Sequence, residues 1–492
     1  MLKKFLTLSL LLLLGSFCFA DTITVYHTSD THGFYFPRLV DGKNTGGFAT
    51  LANLIKKESN PYLLLDSGDF SSGTAEAKET KGAASVEFLN KLRYNAVTIG
   101  NHEGDFKEDA MLANIKNLKP DVLALNMYDK KIGTYPENVK TYAVYNIEGK
   151  KIVVIGIAKD PNPDFKRIKT SGARKKLKKV MYEVKALNPD AVILIIHDSV
   201  ADDKHETTTR PDQIIKGIEG INLVLGGHAH KIIQNKVMDG VTFVESGSEM
   251  RGVSKIDLEF NEKSHKLEGV QSQYIPLDVD KIGEDADVKA FAETKRNKEL
   301  ETVIGTAEEK LYKDSPDLSK GIDSPLGNLF ADLLKQQTKA DIGLQNTGGV
   351  RVDIPKGPIT KRVISEAFPF PNKTMVVKVN GNFLKKMVLK SLTAERSLFQ
   401  YSGVEVTYKY KNHRAELLNI TINGKPVEKD RMYSVAVNDY IAMGNGEGYM
   451  FKKVQDKTVF DSRMMSEIFI DFIAANPQGV TAPAVGRIKK VQ

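Results

Sequence analysis

The chain has 492 residues, 41% of them hydrophobic and 27% charged, with a formal net charge of +8. This length exceeds a single compact core, so two or three domains are expected, and the composition is that of a soluble globular protein. The densest basic run, 166–179, has its charges at helical spacing without interleaved aromatic residues. We therefore interpret it as a solvated helix face, and no nucleic acid polymer is expected as a partner.

The start of the chain has the pattern of an export signal. Lysines precede an apolar run, 5–17, and the small residues Cys18 and Ala20 suit cleavage before Asp21. A membrane anchor is the alternative, but the run is shorter than the ~20 apolar residues of a spanning helix. We expect residues 1–20 to be removed and the mature protein to be periplasmic or secreted, without a membrane span. Cys18 is the only cysteine, which excludes a thiolate metal site and a cysteine nucleophile from the mature chain.

Short apolar segments followed by polar clusters alternate with helical patterns through the first half of the chain. The predicted strands are 22–27, 62–66, 96–99, 122–126, 152–157, 191–196 and 223–225. The helical patterns between them include 47–58, 85–92 and 173–187. This alternation predicts a layered α/β fold with buried strands, in which sites gather beyond the strand ends.

The pattern changes after the last of these strands. Segment 242–274 has the alternation of strands and is interpreted as edge strands that close a domain spanning 21–280. The polar segment 281–302 is predicted to be an exposed connecting helix. The remainder, 303–492, contains its own apolar segments and is expected to form a second domain of α+β type.

Five of the nine histidines lie in the polar clusters that follow predicted strands. Carboxylate, imidazole and amide donors together suit Zn, Mn, Co or Fe rather than an all-oxygen Ca or Mg site. Seven positions are too many for one tetrahedral ion, so two ions ~3.5–4 Å apart, bridged by a carboxylate, are expected. A glycine beside each ligand would let the backbone approach the ions closely. The candidate ligands are Asp30, His32, Asp69, Asn101, His197, His228 and His230.

In this order the clusters resemble the calcineurin-like metallophosphoesterase signature, and segment 27–33 is similar to the 5′-nucleotidase branch of that family. The resemblance implies a four-layer αββα sandwich that is followed by a linker helix and a 5′-nucleotidase C-terminal domain. It implies that one ion is held by Asp30, His32 and His230. The other ion would be held by Asn101, His197 and His228, with Asp69 as the bridge.

The resemblance also implies a catalytic pair, His102 and Asp105. Two metal ions lower the pKa of a bound water, so that a hydroxide nucleophile exists near neutral pH. His102 would offer a proton or hydrogen bond to the developing charge, with Asp105 orienting it. Gly104 stands where the family usually has Phe, so the packing around this pair differs. The remaining histidines are expected to be structural or solvated; they are His27, His205, His265 and His413.

The second half resembles the 5′-nucleotidase C-terminal domain in segments 346–351, 368–372, 438–440 and 444–449. Arg351 follows two glycines and could grip a carboxylate or phosphate. By resemblance, a nucleotide base stacks between two aromatic rings. The late ring would be Tyr440, and the earlier one Tyr401 or Phe399, each with interior packing as the alternative. Glu447 replaces the family's ribose-binding Asp in a segment that is one residue longer.

Three functions follow from these patterns. The first is an exported dinuclear-metal phosphohydrolase that acts on nucleotides, with UDP-sugars or 2′,3′-cyclic nucleotides as further substrates. The second keeps the two metals and acts on a non-nucleotide or sulfur-oxoanion substrate, because the Glu447 segment departs from the family pattern. The third is an inactive binding protein on the same scaffold, against which the complete set of ligand positions argues.

Overall fold

The computed structural model describes residues 21–40, 42–200, 209–261, 264–412 and 414–491. The predicted export signal, 1–20, lies outside the described residues, and so do His205 and His413. The helices are α1 (Phe48–Ile55), α2 (Ala75–Glu79), α3 (Ala83–Lys91), α4 (Glu108–Asn117), α5 (Ala173–Ala186), α6 (Pro211–Ile215), α7 (Val279–Ile282), α8 (Ala286–Glu293), α9 (Pro325–Thr338), α10 (Lys361–Ala367), α11 (Gly381–Ser391), α12 (Asp439–Ala442) and α13 (Met465–Ala474).

The strands of the first part of the chain are β1 (Asp21–Thr28), β2 (Arg38–Val40), β3 (Lys43–Thr45), β4 (Tyr62–Asp66), β5 (Ala96–Val97), β6 (Asp121–Leu123), β7 (Met127–Asp129), β8 (Val139–Lys140), β9 (Tyr142–Ile147), β10 (Lys150–Ile157), β11 (Ile168–Thr170), β12 (Ala191–Ile196), β13 (Leu223–Gly226), β14 (Ile232–Met238), β15 (Val241–Ser246), β16 (Gly252–Phe260) and β17 (Leu267–Pro276). Those of the second part are β18 (Val303–Ala307), β19 (Ile342–Asn346), β20 (Gly357–Thr360), β21 (Lys373–Asn380), β22 (Phe399–Ser402), β23 (Val404–Lys411), β24 (Arg414–Ile422), β25 (Lys425–Pro426), β26 (Met432–Asn438), β27 (Lys457–Met464) and β28 (Ile488–Val491).

The chain divides into two compact units. The first comprises the residues up to Ser72 together with Lys81–Thr294, and the second comprises Gly73–Thr80 and Lys295–Gln492. The first unit contains a seven-stranded sheet, in the order β17-β16-β1-β4-β5-β6-β8, and a six-stranded sheet, in the order β14-β15-β13-β12-β10-β9. Segment 242–274, predicted to form edge strands, contains β15, β16 and β17, of which only β17 lies at the edge of a sheet. Strands β15 and β16 are interior, because β14 and β17 pair with their outer sides.

The two sheets of the first unit share one apolar core. Alternate residues such as Val25 on β1 and Ile193 on β12 meet in it, because successive side chains of a strand point to opposite faces. On the other face of the six-stranded sheet, α5 buries Leu177 and Val184. On the other face of the seven-stranded sheet, the hydroxyl group of Tyr26 donates to Glu58, just after α1. This is the helix–sheet–sheet–helix layering that the family resemblance implied.

The second unit is built on mixed sheets. Its five-stranded sheet has the order β22-β19-β26-β21-β27, and its four-stranded sheet has the order β25-β24-β23-β28. Helix α9 begins where the hydroxyl oxygen of Ser324 accepts a hydrogen bond from the Gly327 amide, with Pro325 at the first helical position. The helix packs on β19 and β22. The apolar segments of this part of the chain, 342–344, 375–379, 404–408 and 432–437, lie in strands β19, β21, β23 and β26.

The segment predicted as one connecting helix, 281–302, is instead a series of short pieces. Helix α7 ends at Ile282 and is followed by Gly283, which has a φ of +78°. Helix α8 begins after Asp285, whose side chain accepts from the Val288 amide. A short 3₁₀ helix, Lys298–Glu301, begins in the same way after Asn297. Each capping side chain accepts a hydrogen bond from an amide in the first turn of a new helix. The polar residues of this segment therefore begin separate short helices and do not form one continuous helix.

In the part of the chain that the structure describes, every helix is too short or too polar to cross a membrane.

Truncation of Ile193 should test the shared core. Its side chain is buried between the two sheets, so Ile193→Ala should lower the free energy of unfolding by about 2–5 kcal/mol. The matched control is Tyr182→Ala on α5, where the side chain is 80% exposed and the change should stay within about 0.5 kcal/mol. Denaturant unfolding of both variants measures the difference, and equal midpoints would contradict the shared core.

Candidate metal centre and substrate site

The candidate ligands are brought together by the register of parallel strands. Thr28 at the end of β1 pairs with Asp66 at the end of β4, and Asp66 pairs in turn with Val97 at the end of β5. In the other sheet, Ile195 of β12 pairs with Leu225 of β13. Because the carboxyl ends of parallel strands share one edge, the segments that follow these strands converge there.

Six of the seven candidate ligands form two clusters. Within each cluster the potential ligand atoms lie within 4.8 Å of one another. His197 Nε2 lies 3.0 Å from Asp69 Oδ2 and 3.9 Å from Asp30 Oδ1, so the two clusters adjoin. The clusters are Asp30, His32 and His230, and Asp69, His197 and His228.

The rings of two candidate ligand histidines are oriented by backbone carbonyls. His32 Nδ1 donates to the Ser72 carbonyl at 2.8 Å, and His197 Nδ1 donates to the Ser67 carbonyl at 2.7 Å. A carbonyl only accepts, so these bonds place the proton on Nδ1 and make Nε2 the candidate ligand atom. His32 Nε2 then lies 3.1 Å from His230 Nε2, an approach that a shared cation would stabilise.

The donor set fits divalent ions. The amide oxygen of Asn101 is buried and has no hydrogen-bond partner among the described residues, as expected for an atom reserved for a ligand. Burial raises the pKa of Asp30 to about 6, with His197 opposing the shift and Asp69 adding to it. A cation between these carboxylates would relieve that repulsion. Carboxylate, imidazole and amide donors define a borderline divalent metal and do not select among Zn, Mn and Co.

The ligand residues have an unusual backbone conformation. Five of the seven candidates have positive φ angles, between +49° and +79°, a region that residues with side chains seldom adopt. Backbone hydrogen bonds hold these turns: the Asp30 amide donates to the Gly68 carbonyl at 2.9 Å, and the His32 amide donates to the Asp69 carbonyl at 3.0 Å. The five are Asp30, His32, Asp69, His228 and His230.

Glycines leave room for the candidate ligand carboxylates. A β-carbon on Gly100 would lie 2.2 Å from Asp69 Oδ1. One on Gly227 would lie 2.9 Å from Asp30 Oδ2. A side chain at either position would therefore displace a ligand carboxylate.

Glu103 supports the site in a way that the sequence motif did not reveal. Its buried carboxylate accepts hydrogen bonds from the amides of Asp69, Phe70 and Ser71, at 2.9–3.1 Å, and from the amide of Gly100 at 2.6 Å. One side chain thus joins the segment that carries the candidate ligand Asp69 to the segment that carries the candidate ligand Asn101. The only signal in the sequence was its place directly after His102.

His102 and Asp105 meet as predicted. His102 Nδ1 lies 2.8 Å from Asp105 Oδ2, and the His102 amide donates to Asp69 Oδ1 at 2.7 Å. The departure at Gly104 has a local explanation, because a β-carbon there would lie 2.2 Å from the Pro161 carbonyl oxygen. The neighbouring segment fills the space that a larger residue would need, and the pair forms without it.

The remaining described histidines lie outside the clusters. His27 is fully buried between the hydroxyl groups of Ser246 and Ser67, at 2.6 and 2.8 Å, and burial lowers its pKa to about 3. His265 is exposed, with Nδ1 2.8 Å from Lys150 Nζ.

Three of the predicted substrate segments meet in the second unit. The parallel pairing of β19 with β26 places Asn346 and Asn438 at neighbouring strand ends, where Asn438 Nδ2 donates to Asn346 Oδ1 at 2.8 Å. Tyr440 follows with a 45% exposed side chain. Glu447 lies in a short 3₁₀ helix, and its Oε1 would be 3.4 Å from a β-carbon on Gly348. An exposed ring and a carboxylate therefore flank the glycine-rich turn.

Arg351 is held near the same turn, with its guanidinium 5.8 Å from the centre of the Phe370 ring. The prediction of Tyr401 as a stacking ring is not supported. Its side chain is fully buried in the core, with its hydroxyl 3.2 Å from Ser391 Oγ. Phe399 lies in the same core. Both rings are on one face of β22, and that face packs inward.

Family comparisons agree with this architecture. The calcineurin-like phosphoesterase family matches residues 23–231, and the 5′-nucleotidase C-terminal domain family matches residues 303–453. The chain is 25% identical to the 5′-nucleotidase of Vibrio parahaemolyticus over 489 residues, covering 87% of this chain and 85% of that protein. It is 25% identical to protein UshA of Escherichia coli over 485 residues, covering 87% and 86%.

Solved structures share the fold. A 5′-nucleotidase precursor from Thermus thermophilus superposes with a TM-score of 0.84 at 23% identity, covering 96% of this chain and 99% of that one. The sulfate thiohydrolase SoxB of Thermus thermophilus gives a TM-score of 0.79 at 16% identity, covering 96% and 97%.

The fold and the two clusters define a metallophosphoesterase, which is a phosphoric ester hydrolase. The chain belongs to the 5′-nucleotidase family, in which a calcineurin-like phosphoesterase domain precedes a 5′-nucleotidase C-terminal domain. The predictions of family, fold class and enzyme class are therefore confirmed. The roles of the individual site residues stay predictions.

Substitution of Gly100 should test the metal centre without removing a ligand. In Gly100→Ala the new methyl group would displace the Asp69 carboxylate, so we expect fewer than two divalent ions per chain, whereas the wild type should hold two. The matched control is Gly348→Ala, whose β-carbon would have 3.4 Å to its nearest neighbour. Elemental analysis after dialysis measures both, and full metal content in Gly100→Ala would contradict the assignment.

Proposed function

We propose that the chain hydrolyses the phosphate ester of nucleotides outside the cytoplasm, as a dinuclear-metal 5′-nucleotidase. The observation that carries the proposal is that two adjoining ligand clusters and the His102–Asp105 hydrogen bond occur in one unit. UDP-sugars, which contain a phosphoanhydride, and 2′,3′-cyclic nucleotides, which are phosphodiesters, are also cleaved by attack of water at phosphorus and belong to the substrate range to be tested. Export rests on the sequence pattern of residues 1–20.

In the proposed hydrolysis the ligand positions would hold the metal ions, and the pair of His102 and Asp105 would supply a proton. When bound, two divalent ions would polarise the phosphoryl oxygens and lower the pKa of a water molecule. Water would lose a proton to solvent and form a bond to phosphorus through its oxygen, and the ester bond would break with its electron pair passing to the leaving-group oxygen. His102 keeps Nδ1 on Asp105, so its other nitrogen, when protonated, can donate to the charge that develops on the substrate. The ions would be held by the seven ligand positions as the family resemblance assigns them, with Asp69 shared.

The second unit would recognise the nucleoside. The half-exposed ring of Tyr440 offers a surface for base stacking, which tolerates any base. The Glu447 carboxylate beside Gly348 could accept hydrogen bonds from ribose hydroxyls. Arg351 would pair with an anionic group of the substrate. A non-nucleotide or sulfur-oxoanion ester is the second candidate, because the Glu447 segment is longer than the family pattern.

Phosphate release from a substrate panel tests the proposed reaction. The mature protein with Mn, Zn or Co should release phosphate from nucleoside 5′-monophosphates. His102→Ala should retain two metal ions and lose about 10²–10⁴-fold in kcat, because it removes the proton donor. Hydrolysis of an aryl phosphate without any nucleotide hydrolysis would favour the second candidate. No hydrolysis of any ester by the metal-loaded wild type would refute both.

Tyr440 can be tested separately from the chemistry. Loss of a stacking ring costs about 1–3 kcal/mol, so Tyr440→Ala should raise KM for nucleotides about 5- to 150-fold with little change for a phosphate ester that lacks a base. Tyr401→Phe is the control, since it removes only a buried hydroxyl group. An unchanged KM for nucleotides in Tyr440→Ala would exclude base stacking on this ring.

A further inference from the structure

Ser72 connects a candidate ligand with the candidate catalytic pair. Its backbone carbonyl accepts the hydrogen bond from His32 Nδ1 at 2.8 Å. Its hydroxyl group donates to Asp105 Oδ2 at 2.5 Å. The residue is 5% exposed, and it follows the bridging candidate Asp69 by three positions. Neither the metal ligands nor the catalytic pair assigned from the sequence include it.

Two donors converge on a single oxygen of Asp105. Oδ2 is the acceptor both for the Ser72 hydroxyl and for His102 Nδ1, which lies 2.8 Å away. The terminal torsion of an aspartate is soft, so one hydrogen bond leaves the carboxylate free to rotate. The Asp105 side chain is 28% exposed, and water can compete for its oxygens. The second donor fixes the orientation that His102 requires.

The carbonyl oxygen and the hydroxyl group of Ser72 have different partners and therefore different roles. The carbonyl group supports the metal side through His32, and it remains in any substitution that keeps the backbone in place. Only the hydroxyl group reaches Asp105. The rings of His32 and His102 lie edge to face, with their centres 5.2 Å apart. The carbonyl and the hydroxyl group of Ser72 are therefore linked to two histidines that are in contact with each other.

We propose that Ser72 is a positioning residue, whose hydroxyl group holds the Asp105 carboxylate in the orientation that aligns His102 for proton donation. This inference rests on the proposed function of His102. It requires that loss of the hydroxyl weaken the chemical step while metal binding and substrate binding persist. A purely structural serine would not separate these quantities.

Three variants distinguish these roles. Ser72→Ala removes the hydroxyl and keeps the carbonyl that accepts from His32, and Ser72→Thr restores a hydroxyl group. The matched control is Ser71→Ala, because the neighbouring Ser71 hydroxyl is buried and has no hydrogen-bond partner among the described residues. Metal content, kcat and KM would be measured for a nucleoside monophosphate and for 4-nitrophenyl phosphate.

We expect Ser72→Ala to hold two metal ions, to keep KM within about twofold, and to lose about 10-fold or more in kcat for the nucleotide. The loss should be smaller for 4-nitrophenyl phosphate, because its leaving group needs less protonation. Ser72→Thr should recover most of the rate, and Ser71→Ala should match the wild type. In an Asp105→Ala background, Ser72→Ala should cause no further loss, since both changes remove one function.

Equal losses with and without Asp105, or an unchanged kcat in Ser72→Ala, would overturn the inference while leaving the proposed hydrolysis intact. A crystal structure of Ser72→Ala gives a test that does not depend on activity. The Asp105 carboxylate should rotate away from His102 Nδ1 or occupy several orientations. A hydrogen bond retained in a single orientation would overturn the proposal even if the wild type hydrolysed none of the tested esters.

Discussion

The buried carboxylate of Glu103 sets the constraint on which the metal centre depends. A carboxylate taken out of water is strongly destabilising unless hydrogen bonds replace its hydration. Four backbone amides do so here, three from 69–71 and one from Gly100. Those amides belong to two segments that follow different strands, β4 and β5. Glu103 lies on the same segment as Gly100, so separating the two segments would remove three of its four donors. The carboxylate therefore holds the segment of Asp69 close to the segment of Asn101.

The strained turns around the ligands become understandable in that setting. Left-handed backbone at a residue with a side chain costs about 1–3 kcal/mol and persists only where the surroundings determine it. At Asp30 and His32 the surroundings are the carbonyls of Gly68 and Asp69, which accept the amides of the two turns. The segments after β1 and β4 are thereby joined, and β4 and β5 are joined through Glu103. Cross-strand hydrogen bonding, rather than the preference of each residue, therefore fixes the ligand conformations.

The sequence could predict that the candidate ligands lie together because each one follows an apolar strand within one to four residues. In β12 the run Ala191–Ile196 is buried throughout, and His197 comes at its end. Such a run predicts a strand buried on both faces, and its end predicts the edge of the sheet at which the following polar residues lie. Parallel pairing then makes separate segments neighbours. The same logic applies to β19 and β26 in the second unit, which bring Asn346 and Asn438 together.

The strand pattern could not decide whether an aromatic ring of β22 is available for base stacking. All four residues of Phe399–Ser402 are buried, so both faces of the strand are covered. A strand pattern defines which residues share a face and does not define what packs against it. Tyr401 lies in the core for that reason, with its hydroxyl group held by Ser391. The role of Glu103 could not be predicted either, because its four donors are backbone amides, and almost any residue type at those positions supplies one.

The two departures from the family motifs act on different parts of the protein. At Gly104 the Pro161 carbonyl occupies the position of a β-carbon, and His102 still meets Asp105 at 2.8 Å. The substitution changes what surrounds the pair without changing the pair. At Glu447 the change concerns a group that would touch substrate, and a longer side chain reaches the turn at Gly348. The candidate catalytic pair therefore forms its hydrogen bond in spite of the departure at Gly104, whereas the departure at Glu447 changes the candidate recognition segment itself.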